Sequence, residues 1–175
     1  MANHMIRFRL FCIYLIPTVL ASQALAGNAE QITFVSPSGQ TNISREFKKY
    51  RLDVKISTHE VEIGKPSDGL PEIRNNSCTY SRYPCSIIDR IDIKINETPI
   101  FVPRSVYSDL ADINTAKLVV GTNTYILTLD GGDASENYKA VIKFNREKII
   151  SREVWSGEAG KKTQETKYFR VVLGD

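Results

Sequence analysis

His59 is the single histidine beyond the first 26 residues, so a Ser-His-Asp triad or a histidine-based zinc site would have to run through it. The run His59-Glu60-Val61-Glu62 carries the first two letters of a zinc-protease helix and lacks the second histidine. Strand alternation places His59 with Val61 and Ile63 on an apolar face, which predicts a partly buried, hydrogen-bonded ring and no catalysis. The chain has no Gly-x-Ser-x-Gly elbow and no phosphate-binding glycine loop. Two carboxylates can hydrolyse a glycoside without histidine. Most acidic residues here, however, alternate with apolar ones and read as the wet side of strands. The sequence thus assigns no catalytic residue, no metal and no cofactor.

Three other clusters could act by binding. Asp130, Asp133 and Glu136 surround Gly131-Gly132 and offer the oxygen ligands that calcium takes. Their spacing departs from the EF-hand pattern, and Asp-Gly-Gly-Asp is what a tight turn between strands requires; the turn is the preferred reading. Arg45, Lys48, Lys49, Arg51 and Lys55 form the densest basic run, interleaved with Phe47 and Tyr50. Glu46 and Asp53 compensate it. Phe47 and Tyr50 are expected on different faces, which argues against a stacking platform for single-stranded nucleic acid.

The third cluster is the most suggestive. Cys78 and Cys85 are an even pair once Cys12 is set aside, and they predict a disulfide in an oxidising compartment. An eight-residue ring gains only about 2.5 kcal/mol from loop entropy, so its effect is local. Inside it lie Tyr80, Arg82 and Tyr83, residue types favoured at interface hot spots. Holding them in one shape beforehand lowers the ordering cost of association.

The elements that must position these groups are strands. Residues 31–35, 52–56 and 61–63 alternate with period two, and residues 64–86 read as a long irregular excursion containing the disulfide ring. Ile91, Ile93 and Ile95 share a face opposite Arg90, Asp92 and Lys94, and a turn at Asn96-Glu97 leads into residues 100–102. Pro103 followed by Val106, Leu110 and Ile113 predicts one short helix over 103–113. A hairpin joins 117–120 to 125–129, strands follow at 138–144 and 149–155, and a loop over 156–166 leads to a last strand at 168–173. Strand after strand with short links predicts a mainly β antiparallel meander, forming a sandwich or a partly closed barrel.

The first 26 residues set the compartment. Arg7 and Arg9 precede an apolar run from Leu10 to Leu20, and Ala24-Leu25-Ala26 is a small-x-small cleavage pattern. The run is short and holds Pro17, which predicts a removed export signal and no membrane insertion afterwards. Residues 27–175 then form a single β-rich domain of 149 residues, large enough for an ordinary core. The signal takes two of the 23 basic residues and none of the 20 acidic ones, leaving a net charge of +1. That balance lacks the basic excess of a nucleic-acid binder. The combined expectation is a periplasmic or secreted protein without chemistry of its own that binds another protein, such as an inhibitor or immunity protein against an envelope toxin or hydrolase. The rivals are a structural or adhesive envelope subunit and a carboxylate-based hydrolase.

Overall fold

The computed structural model describes residues 31–47, 50–62, 77–79 and 82–169. The predicted signal, Lys48, Lys49, Tyr80 and residues 170–173 of the predicted last strand lie outside them. Among the described residues ten strands form two antiparallel sheets, a mainly β sandwich with no closed barrel. One sheet has six strands in the order β1 (Ile32–Phe34), β6 (Ile113–Val120), β7 (Tyr125–Gly131), β8 (Tyr138–Phe144), β9 (Ile149–Ser156) and β10 (Lys162–Lys167). The other has four: β2 (Gly39–Phe47), β3 (Tyr50–Val61), β4 (Cys85–Ile95) and β5 (Thr98–Ile100).

The alternation that predicted strands also builds the core. Leu52, Val54 and Ile56 of β3 and Ile91, Ile93 and Ile95 of β4 face Leu127 and Leu129 of β7 and Ala140, Ile142 and Phe144 of β8 across the sandwich. Every second residue turns inward because successive side chains of a strand alternate in direction.

The sequence expected two strands at 52–56 and 61–63 where one continuous strand runs from Tyr50 to Val61. Its inward phase is set by Leu52, Val54, Ile56 and Thr58, so His59 falls on the outer side and is exposed, contrary to the partly buried ring expected. A bulge opposite Ser57/Thr58 leaves Asp89 as the extra residue of β4. Asp89 meets His59, whose Nδ1 lies 2.6 Å from its carboxylate. Phe47 and Tyr50 are also corrected: they are cross-strand partners of one hairpin and share a face.

Two further boundaries shift. Strand β4 begins at Cys85, inside the expected excursion. Strand β10 occupies Lys162–Lys167, inside the expected loop, because an edge strand exposed along its length needs no apolar alternation. Residues 103–113 bury the predicted stripe of Val106, Leu110 and Ile113 with a single 3-10 turn, Arg104–Val106, in place of a full helix. The carboxylates of Asp109 and Asp112 bond groups outside this segment, and Asp112 adopts a left-handed φ of 49° that no α-helix accommodates. The segment crosses from one sheet to the other, and Ala111 bridges to Ile87 on the way.

Candidate functional site

Cys78 and Cys85 are joined, with their Cα atoms 5.7 Å apart and both side chains buried. Their ring is moored to one carboxylate. Asp112 is fully buried, and its Oδ2 accepts from the Thr79 amide at 2.9 Å and the Thr79 hydroxyl at 3.2 Å. Its Oδ1 accepts from the Ser86 amide at 2.9 Å, at the head of β4. The Asp112 carbonyl accepts from the Gly132 amide at 3.0 Å, tying in the end of β7. Oriented amides thus hold this charge, as in an anion-binding nest. Among the described residues Cys78, Cys85 and Asp112 are the only trio of ligand-type side chains in close range. The sulfurs are spent in the disulfide and the carboxylate is filled by N–H and O–H donors, so the trio acts as a staple.

Of the predicted binding residues, Arg82 and Tyr83 are half-buried. The Arg82 guanidinium turns back onto its own domain, donating to the Asp112 carbonyl at 3.3 Å and to the Asn114 side chain. Both terminal nitrogens of its guanidinium are therefore engaged within the domain. The Tyr83 hydroxyl is buried without a hydrogen-bond partner among the described residues.

Beside this stapled loop lies an open hollow of about 630 Å³. Arg82, Tyr83 and Pro84 form one wall, Phe34, Val35 and Pro37 another, and Glu60 and Asn114 the rim. Phe34 is 82% exposed and Ile32 60%, both on the outer face of the six-stranded sheet. The sequence missed Phe34 because alternation shows which residues share a face and is silent on which face is wet. The relevant signal was a short, charge-free strand followed closely by Pro37.

A larger concavity of about 1040 Å³ follows the outer face of the four-stranded sheet. Its charges already satisfy one another. Arg51 pairs with Asp53 at 3.0 Å, Lys55 with Asp92 at 3.4 Å, and Arg90 with Asp92 at 2.5 Å. Burial pushes the Asp53 carboxyl up, but hydrogen bonds from Ser44 and Arg51 and the charges of Arg51 and Lys94 outweigh it and hold the group below its ordinary value. Of the basic run, Arg51 and Lys55 are engaged in these pairs, and Lys48 and Lys49 lie outside the described residues. Arg45 bonds Gln31, and the Arg146 guanidinium lies 3.8 Å from the Tyr50 ring centre, on the face a base would stack against.

Asp130 lies on β7 with Lys139 at 3.9 Å and the Thr115 hydroxyl at 3.5 Å, while Asp133 caps the turn that follows by accepting from the Ala134 amide. Gly132 takes a left-handed φ of 77°, with backbone atoms of Glu136 and Asn137 where a Cβ would stand. His59 has its carboxylate partner, and the described residues bring no hydroxyl or thiol to its other nitrogen. No helix among the described residues is long and apolar enough to cross a membrane. No family model, no curated protein and no solved structure matches this chain.

Proposed function

We propose that this protein is exported to the periplasm or beyond the cell and binds another protein there without chemistry of its own, as an inhibitor or an immunity protein does. The observation that carries this reading is the stapled end: a disulfide ring moored to Asp112 beside a hollow flanked by the exposed Phe34 ring. A rigid aromatic wall next to an exposed ring is the composition of an interface hot spot, and rigidity beforehand limits the entropy lost on association. The disulfide is compatible with an oxidising compartment. Internal pairing of the charges around His59, Asp53 and Asp92 favours binding over hydrolysis. The test is cross-linking in periplasmic extract with wild type and with a Phe34→Ala/Tyr80→Ala/Tyr83→Ala variant. A partner captured by wild type and lost from the variant is expected; equal capture by both would remove the stapled end from the function.

A further inference from the structure

We infer that the stapled end recognises an extended segment of its partner, which adds to the six-stranded sheet as a new strand alongside β1. This rests on the binding role proposed above and specifies what is bound. The amide of Val35 donates to the Asn114 carbonyl at 3.0 Å, so the bonds from β1 to β6 use Thr33 and Val35. Alternation then points the N–H and C=O groups of Ile32 and Phe34 away from β6, and among the described residues no strand pairs with that edge.

Exposed sheet edges invite pairing, and proteins blunt them with charge, proline or bulges. The other three edges among the described strands carry such devices. Strand β10 has Lys162, Glu165 and Lys167 and a bulge, β2 has Arg45 and Glu46, and β5 has Pro99. Strand β1 has only Ile32, Thr33 and Phe34. Its shortness limits pairing to a few residues, so further contact must come from the hollow at its Phe34 end, where Tyr83 and Pro84 offer apolar surface. The chemistry of the occupant follows: an uncharged, extended stretch rich in β-branched or aromatic residues, held by main-chain hydrogen bonds and anchored by one apolar side chain.

The probe is a displayed library of random linear peptides selected on the exported form of the protein, with selected peptides then titrated against Ile32→Ala, Ile32→Pro and Tyr83→Ala. Ile32 opens the strand and its N–H lies outside the ladder, so proline is tolerated there. The two Ile32 variants both lose the side chain, and only proline loses the edge donor. Selected peptides should bind Ile32→Pro about tenfold more weakly than Ile32→Ala, the scale of one backbone hydrogen bond. They should also slow amide exchange at Ile32 and Phe34. Peptides that ignore Ile32→Pro but are lost with Tyr83→Ala overturn strand addition and leave recognition by the stapled end standing. Peptides indifferent to both overturn both readings. Failure to select any linear peptide overturns strand addition. A molecular mass that rises with concentration for wild type and not for Ile32→Pro makes the occupant a second copy and overturns the partner segment.

Discussion

Asp109 and Asp112 sit three positions apart on the segment that crosses between the sheets, one half-buried and one fully buried, and their carboxylates are satisfied in opposite ways. Asp109 is paired with a cation: both of its oxygens lie 2.8 Å from Nη2 of Arg152. Arg152 is the buried partner, 3% exposed on the inner side of β9, with Nη1 bonded to Gln164 and Nε left without a partner among the described residues. Asp112 is the more deeply buried carboxylate, and amides and a hydroxyl satisfy it. The first arrangement carries the cost of a desolvated guanidinium. The second spends no basic side chain and in return joins the disulfide ring, β4 and β7 at one point. Hence the end proposed to bind is fixed by main-chain geometry, which salt screens little.

Four measurements would break or sharpen that contrast. Asp112→Ala should have the largest effect: it strands the Thr79 and Ser86 amides in a dry site and should cost about 3 kcal/mol of unfolding free energy by denaturant titration. A loss below about 1 kcal/mol would mean water replaces the carboxylate and the contrast is empty. Replacing both Cys78 and Cys85 by serine should cost about 2.5 kcal/mol, with amide exchange accelerating at Thr79 and Ser86 and not in β8. Asp109→Ala should cost about 2 kcal/mol, and Arg152→Met only about 1 kcal/mol, because the aspartate left behind can turn to water and the guanidinium cannot. The reverse order in thermal melts would show that Arg152 is stabilised by something other than Asp109.

The smallest effect concerns Tyr138, whose hydroxyl donates to the Ala111 carbonyl at 2.6 Å and accepts from the Ala111 amide at 3.1 Å on the same crossing segment. Burial pushes the phenol far above its ordinary 10.0, so the folded state favours the neutral form. A group raised in this way stabilises fully below the unfolded value and loses that contribution as pH climbs past it. Stability should accordingly decline above about pH 10, and Tyr138→Phe should flatten that alkaline limb while costing about 1 kcal/mol at neutral pH. An unchanged alkaline limb would assign the decline to another group.

Local rules carried much of this molecule. Period-two alternation is a property of single segments, and it located β3, β4 and β6 to β9; helical spacing found the buried stripe of Val106, Leu110 and Ile113 but wrongly made it a helix. Counting cysteines identified the pair that the fold joins. What stayed hidden depends on residues far apart in sequence. Nothing near Asp112 announces that Thr79 and Ser86 will arrive there, and nothing near Arg152 announces Asp109. His59 was misplaced by one phase because the sequence offered two short strands where one strand carries the phase of Leu52, Val54 and Ile56 on through Thr58. Strand β10 was invisible because its residues face solvent on an outermost strand. Within the proposed site, the disulfide was legible, the inward turn of Arg82 was not, and the exposure of Phe34 required knowing which sheet it would join.

The pairing of Ile32 with Lys117 has a kinetic consequence. Among the described residues the other strand pairs join neighbours in chain order, β2 through β5 in one sheet and β6 through β10 in the other, so each can zip from a local nucleus. The opening strand must instead close a loop of about 80 residues to reach β6, the largest loop-closure entropy among the pairs, for only three register pairs. The expected outcome is that its amides gain protection late in refolding and lose it early in native-state exchange.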